Sequence, residues 1–331
     1  MKTLITGANG FVGSAVLRKL LGRGHEVRVL LRPGSNRSNL EGLAVEMHEA
    51  DLTRPETLES AALGCDYLFH IAADYRLWVP DPEPMYRANV EGTVHLLQQA
   101  SKAGVQKIVY TSSVATLGIR PDRRPANEDT PVGLDDMIGH YKRSKFLAEQ
   151  AVRKLPREEK IPVTIVNPST PIGPRDIKPT PTGRIIVDCL NGKIPAYVDT
   201  GLNIAHVDDV AEGHLLALDK GEIGERYILG GEDMKLKDIL HTICVIGNRK
   251  PPALSLPHNL VLPVAWLSEL WAGLSGVEPL ATVDGIRMAK KHMFFSSDKA
   301  VQNLGYSARP AKQALEDAVT WFQTNEYVNK P

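Results

Sequence analysis

The chain has 331 residues, a length that suggests about two domains, and its 39 basic and 39 acidic side chains give a formal net charge of zero. That balance argues against a nucleic-acid binder, which carries a basic excess, and 43% hydrophobic with 24% charged residues argues against gross disorder. Cys65, Cys189 and Cys244 are odd in number, widely spaced and never C-x-x-C, which speaks against a disulfide framework or a cysteine-rich metal site and fits a reducing compartment.

Taken in chain order, the first half alternates short apolar runs with helical patterns. Lys2–Thr6 reads as a strand, Gly10–Gly22 as a helix with Val12, Val16 and Leu20 on one face, and Glu26–Leu31 as a second strand. Tyr67–Ala72 reads as a strand, Arg87–Lys102 as a helix, Lys107–Ser112 as a strand, Tyr141–Leu155 as a helix and Val163–Asn167 as a strand. This alternation predicts an α/β fold, a Rossmann-type doubly wound parallel sheet with helices on both faces. From Pro168 to Pro181 five prolines mark an irregular loop. The expected organisation is a dinucleotide-binding domain over 1–167 and a smaller, mainly substrate-binding C-terminal lobe over 168–331. Segments around 204–230 are expected to return to the main domain, because Glu225–Leu229 looks like another strand of its sheet. The chain ends in a helical stretch, Pro310–Phe322.

No targeting segment stands out. Met1–Thr6 is too short for a signal peptide, and the apolar run Leu260–Leu267 is interrupted by Pro263 and falls short of the ~20 residues a membrane span needs. The expectation is a cytoplasmic protein without a transmembrane segment.

The strongest local signal is TGANGFVG, Thr6–Gly13. Gly7, Gly10 and Gly13 follow a strand and open a helix, so the backbone can turn tightly and approach a pyrophosphate while the helix N-terminus, beginning at Phe11 and Val12, supplies N–H groups. A tight turn without a ligand is the plainer alternative. The G-x-x-x-x-G-K-[ST] spacing of a P-loop is missing. An acidic residue about 20 positions beyond the glycines would favour a free ribose hydroxyl. Here the second strand runs into Arg32, with Arg37 nearby and Glu41 the first acid, so cations stand where a 2′-phosphate would lie. NADP(H) is therefore favoured over NAD(H); solvated loop arginines are the alternative.

Tyr141 and Lys145 lie four positions apart in YKRSK, on one face of a helix. An ammonium about 4 Å from a phenol contributes ~4 kcal/mol at an effective dielectric of 20, about three pKa units, enough to bring a tyrosine into general acid–base range. An ordinary solvated helix pair is the commoner outcome for this spacing. Its company here is Thr111, Ser112 and Ser113 at the end of a strand, where ligands of open α/β sheets sit; a cap or turn is the plainer role of those hydroxyls.

TGANGFVG, Asp51-Leu52, HIAAD at His70–Asp74, Asn89, YTSSVAT, YKRSK and HVDDV at His206–Val210 follow in order over residues 1–325. In these motifs the chain resembles the extended short-chain dehydrogenases/reductases, in the branch that contains dihydroflavonol reductases. The stretches IAADYRLWVPDP, DDMIGHYKRSKFLAEQAV, VNPSTPIGPRDIKPTPTGR and PAYVDTGLN resemble bacterial hopanoid-associated sugar epimerases more closely. The resemblance implies a catalytic Ser113, Tyr141 and Lys145, with Asn89 as a fourth member holding a water that links Lys145 to solvent. It implies Asp51 and Leu52 beside the adenine, Ala72 and Ala73 beside the pyrophosphate and ribose, and Pro168 and Ser169 beside the nicotinamide. Two positions depart from the nucleotide-sugar epimerases: Asn167-Pro168 replaces an Arg-Pro, and Leu117-Gly118 replaces a Tyr-Gly, and both count against a nucleotide-diphosphate sugar substrate.

Other candidates have plainer roles. Asp208 or Asp209 reads as a helix N-cap rather than as a metal ligand with His206, since no metal-binding spacing accompanies them. Arg175, Lys178 and Arg184 sit in the proline-rich loop, facing a substrate or solvent. Tyr75, Trp78 and Met85 line a pocket or simply pack. The stretch around Leu260, Val264, Leu267 and Trp271 reads by default as an amphipathic core helix, and otherwise as a cover for an apolar substrate, a subunit contact of a homodimer, or a membrane-surface contact. The sequence points to hydride transfer between a nicotinamide and a carbonyl or secondary alcohol of a small molecule. In the reductive direction Ser113 holds the oxygen and Tyr141 supplies the proton. Sugar epimerisation at the same residues, linked to hopanoid biosynthesis, is the alternative, and a non-catalytic NADP sensor a third.

Overall fold

A computed structural model describes residues 1–76, 78–275 and 282–328. The first five strands are β1 (Lys2–Thr6), β2 (Glu26–Leu31), β3 (Glu46–Glu49), β4 (Tyr67–His70) and β5 (Lys107–Thr111). Among them lie α1 (Phe11–Gly22), α2 (Glu83–Tyr86) and α3 (Gly92–Lys102); α2 and α3 are joined by a π-helical turn, Arg87–Glu91. Then come α4 (Gly139–Val152), α5 (Leu155–Glu158), β6 (Val163–Pro168), β7 (Thr170–Ile172), α6 (Pro181–Leu190), β8 (Ala196–Tyr197), β9 (Gly201–His206) and α7 (Val207–Lys220). The chain continues through β10 (Arg226–Leu229), β11 (Glu232–Lys235), α8 (Leu236–Ile246), β12 (Leu254–Ser255), α9 (His258–Ser275), α10 (Val283–Ala289), β13 (His292–Met293), α11 (Asp298–Leu304) and α12 (Ala311–Thr324).

The central sheet has seven strands in the order β10-β6-β5-β4-β1-β2-β3, all pairs parallel. The strand order reverses between β1 and β4, and the crevice beyond the strands' carboxyl ends at that point is where open α/β sheets bind ligands. Both faces are covered, which is why the strands read as apolar runs rather than as alternation. Val16 and Leu20 of α1 pack with Ala211 and Leu215 of α7 on one face; Leu96 and Leu97 of α3 pack with Ala148 and Val152 of α4 on the other. A four-stranded sheet gathers β7, β11 and β13 around β9, and α6, α8 and α12 enclose a further core of Ile186, Ile243, Leu315 and Phe322.

The strands expected from the sequence are present, and β10 joins the main sheet beside β6. The sequence gives no sign of β3: Glu-Met-His-Glu is an exposed edge with no apolar alternation, held by pairing with Arg28–Leu31. The helix expected over Arg87–Lys102 is broken by the π-helical turn that carries the buried Asn89.

Candidate active site

The glycine turn is shaped by close backbone contacts. Gly7 takes φ +72°, and a Cβ there would lie 2.7 Å from the backbone nitrogen of Ala72. A Cβ on Gly13 would lie 2.0 Å from the Gly7 carbonyl oxygen. Both positions therefore exclude side chains, and the turn seats directly on the loop after β4. The Thr6 hydroxyl fixes that loop: it accepts from the N–H groups of Ile71 and Ala72, each at 3.1 Å, and bonds His70 Nδ1 at 2.8 Å. Burial and the Lys145 charge hold the His70 pKa at about 3, so the ring is a neutral bridge, bonded through Nε2 to Thr93 at 2.9 Å. No side chain caps α1 at Gly10, an arrangement that leaves the first-turn N–H groups at Phe11 and Val12 open to an anion. Asn39, which the sequence reading missed, donates to the Asn9 and Arg175 carbonyl oxygens and so ties the proline-rich loop to the turn.

Beyond β2 a cleft of about 570 Å³ is lined by Arg32, Pro33, Gly34, Ser35, Asp51 and Arg54, among others. Arg32 enters no ion pair among the described residues, whereas Arg37 is bound to Glu49 at 2.6 Å. The two arginines are therefore not equivalent, and Arg54 is the second cation of the cleft in place of Arg37. Burial raises the Asp51 carboxyl, but hydrogen bonds from Thr53 at 2.8 Å and the charges of Arg32 and Arg54 outweigh it, so its pKa lies below the usual range. Leu52 is buried, and its carbonyl would lie 2.5 Å from a Cβ on Gly92 at the start of α3.

The end of β5 and the first turns of α4 bring the expected catalytic residues together. Ser113 caps the short turn Val114–Thr116, accepting from the Ala115 N–H at 3.1 Å, and its hydroxyl lies close enough to the Tyr141 phenol to lower that phenol's pKa. The plainer role expected for this hydroxyl, a cap, is thus filled. Burial raises the phenol's pKa and the Ser113 hydroxyl draws it back, the net being upward, so Tyr141 is protonated at neutral pH. Lys145 lies on the same side of α4, but its ammonium goes to the strand end: it donates to the Thr111 carbonyl at 2.9 Å and the Tyr110 hydroxyl at 3.1 Å and sits over the Tyr110 ring. The four-residue spacing thus shares a face without making Lys145 the group that sets the phenol. The strand end, unseen in the spacing, claims the cation. Burial lowers Lys145 to about 8, against an upward pull from Glu149.

The Asn89 side chain has direct protein partners of its own. It donates to the Asp74 carbonyl at 2.9 Å and Ser144 Oγ at 3.0 Å, and accepts from the Asp74 N–H at 2.8 Å, pinning the loop of Ala72 and Ala73 to α4. The Thr111 hydroxyl turns away to His214 at 2.9 Å. Ser112 Oγ at the end of β5 and Ser169 Oγ just after Pro168 are buried atoms without a protein partner. Two orphaned hydroxyls on adjacent strand ends, together with a bare glycine cradle, fit an extended dinucleotide lying across the switch point.

Beneath Ser113 lies a buried polar cluster. Glu149, 1% exposed, accepts from Arg226 at 2.7 Å, Asn167 Nδ2 at 2.7 Å and Thr116 Oγ1 at 2.8 Å, and the Asn167 amide also donates to the Ser113 carbonyl at 3.0 Å. Glu149 sits four residues beyond Lys145, a spacing that could have flagged it; Arg226 comes from β10 and could not be found that way.

Several remaining candidates have structural partners. The N-cap of α7 is His206, not Asp208 or Asp209: its Nδ1 accepts the Asp208 N–H at 3.0 Å. Asp209 holds Arg309 at 2.6 Å, and Asp208 holds Arg175. Met85 is fully buried and packs; Tyr75 is exposed; Trp78 is partly buried. The helix of Leu260, Val264, Leu267 and Trp271 forms, but these four side chains are 53–68% exposed, so it is not an ordinary core helix.

The sequence pattern of the NAD dependent epimerase/dehydratase family matches residues 3–230. The chain belongs to this family. This extended short-chain dehydrogenase/reductase is 44% identical over 328 residues to "Putative dihydroflavonol 4-reductase" of Synechocystis sp., covering 98% of this chain and 95% of the relative. It is 34% identical over 325 residues to "Sterol demethylase protein B" of Methylococcus capsulatus, covering 98% of each. The crystal structure of gox2253 is 56% identical with a TM-score of 0.89, covering 99% of both chains. As a member of the family the chain is an NAD(P)-dependent oxidoreductase acting on a small molecule. Among the described residues no helix is long and apolar enough to cross a membrane.

Proposed function

We propose that this enzyme reduces a carbonyl to a secondary alcohol, or runs the reverse reaction, with NADP(H) as the preferred cofactor. The carrying observation is the Tyr141 phenol set beside the Ser113 hydroxyl at the carboxyl end of β5, with the buried Lys145 ammonium bonded to that same strand end. Gly7, Gly10, Gly13, Phe11 and Val12 would hold the pyrophosphate, Asp51 and Leu52 the adenine, and Ser112, Pro168 and Ser169 the nicotinamide side. When bound, the nicotinamide supplies or accepts the hydride. Ser113 would donate to the substrate oxygen, and Tyr141, protonated because burial raises its pKa, would deliver the proton as charge develops on that oxygen. Lys145 would supply positive charge below the phenol and toward the ribose. The main domain over 1–167 would carry the cofactor, and the lobe built on 168–331 would close on the substrate.

The same residues would serve epimerisation, in which the hydride returns to the other face. Asn167 favours reduction: its amide is committed inward to Ser113, Thr116 and Glu149, so the end of β6 offers no cation to a diphosphate. A carbonyl-substrate screen decides between them. Stoichiometric NADPH consumption supports reduction; tightly retained oxidised cofactor with interconversion and no net consumption supports epimerisation.

Two further outcomes test the assignments. Arg32→Ala is expected to weaken NADPH binding by about tenfold or more, the loss of a charged hydrogen bond, and to leave NADH affinity nearly unchanged by titration fluorimetry. Equal losses for both would remove the 2′-phosphate role. The Lys145 pKa of about 8 predicts that kcat/KM is flat below neutrality and declines above pH 8 as the ammonium loses its charge. A decline starting only near pH 10 would mean the lysine is not the titrating group.

A further inference from the structure

Helix α9 is built inside out. Its inward positions are small, Ala265 and Ala272 at 0% and 1% exposure. Its outward positions are large and apolar: Leu260 at 66%, Val264 at 53%, Trp266 at 60%, Leu267 at 58% and Leu270 at 53%. A helix that is apolar all round is normally enclosed, and contiguous exposed apolar surface marks an interaction site. The one carboxylate of α9, Glu269, does not decorate this face; it accepts the Val283 N–H at 2.8 Å at the start of α10.

We propose that the outer face of α9, with α10 as its rim, docks onto an anionic phospholipid bilayer. The rim supplies the charge complementarity. Lys290 and Arg287 are exposed on and just after α10, and Lys290 Nζ reaches Asn259 Oδ1 in the first turn of α9 at 3.3 Å; Arg287 also faces Asp284 at 3.6 Å. Long basic side chains beside exposed Trp and Leu are the composition of a helix lying in the lipid interface. Such a helix lies on the bilayer rather than through it, consistent with the absence of a spanning helix among the described residues.

The docked face adjoins the start of the helix that carries Tyr141. Asp284 of α10 packs on Gly139, where α4 begins two residues before Tyr141; a Cβ on that glycine would meet the Asp284 carboxylate at 3.3 Å. Docking would therefore bring the catalytic tyrosine's helix to the lipid surface. A lipophilic carbonyl could then pass from bilayer to site, an extension that rests on the reductase reading.

The test uses the full chain with vesicles of phosphatidylcholine alone or mixed with phosphatidylglycerol, read by co-sedimentation and tryptophan fluorescence. Binding to the mixed vesicles, weakened by salt, is expected. Leu267→Glu and Leu270→Glu, both at exposed positions, should each weaken it by about tenfold or more, and Lys290→Glu should weaken it on mixed vesicles selectively. NADPH-dependent turnover of a water-soluble carbonyl should be unchanged in all three. Absence of vesicle binding, with or without a dimer that Leu267→Glu dissociates in light scattering, overturns the proposal. Vesicle binding without turnover of any carbonyl would leave the docking standing and remove the reductase reading.

Discussion

Tyr141→Phe is expected to lower kcat by about 10²–10⁴-fold, the range for loss of a positioned general acid, while NADPH affinity stays within about twofold. The phenol lies beside the Ser113 hydroxyl, and burial keeps its proton in place at neutral pH. The ring itself survives in phenylalanine, so packing at the start of α4 is retained. Steady-state NADPH oxidation paired with cofactor titration separates the two quantities. A variant as active as the wild type would dismiss the proton-delivery role; a variant that loses cofactor binding in parallel would make Tyr141 a binding residue instead.

Glu149→Ala is expected to destabilise the protein by about 3–5 kcal/mol, the range for breaking a buried ion pair, because it leaves the Arg226 guanidinium, 13% exposed, with the Glu128 carbonyl but no carboxylate partner. Arg226→Ala should cost a similar amount by stranding the carboxylate. Paired replacement of both by leucine should cost less than either single change, since no lone charge remains. Urea-denaturation midpoints with unchanged slope measure this. The cluster also reaches the chemistry: Glu149 pulls the Lys145 pKa upward, so Glu149→Gln should move the alkaline decline of kcat/KM to lower pH. If the single and double variants are equally stable, or the pH profile does not move, the cluster is packing alone.

The legible parts of the chain were those whose reasons are local. Gly7 and Gly13 announce a backbone that tolerates no Cβ, and the apolar runs of β1, β4, β5 and β6 announce strands covered on both faces, so the fold and the glycine turn could be read directly. That the end of β5 and the start of α4 lie at one edge of the sheet is legible for the same reason, since ligands of such sheets sit beyond the strands' carboxyl ends.

The doubly wound sheet, the glycine turn and the helix face shared by Tyr141 and Lys145 follow from local pattern, because period, glycine spacing and helical pitch are properties of neighbouring residues. Where the charges go is set by long-range packing. Lys145 turns to Tyr110 and Thr111, Arg37 is taken by Glu49 while Arg32 enters no ion pair among the described residues, Arg226 crosses from β10 to meet Glu149, and α9 shows its apolar side outward. A charged group settles on whichever partner lies within hydrogen-bond reach after burial, and a helix face is inner or outer only relative to what packs against it. Both depend on residues distant in the chain, which no local spacing encodes.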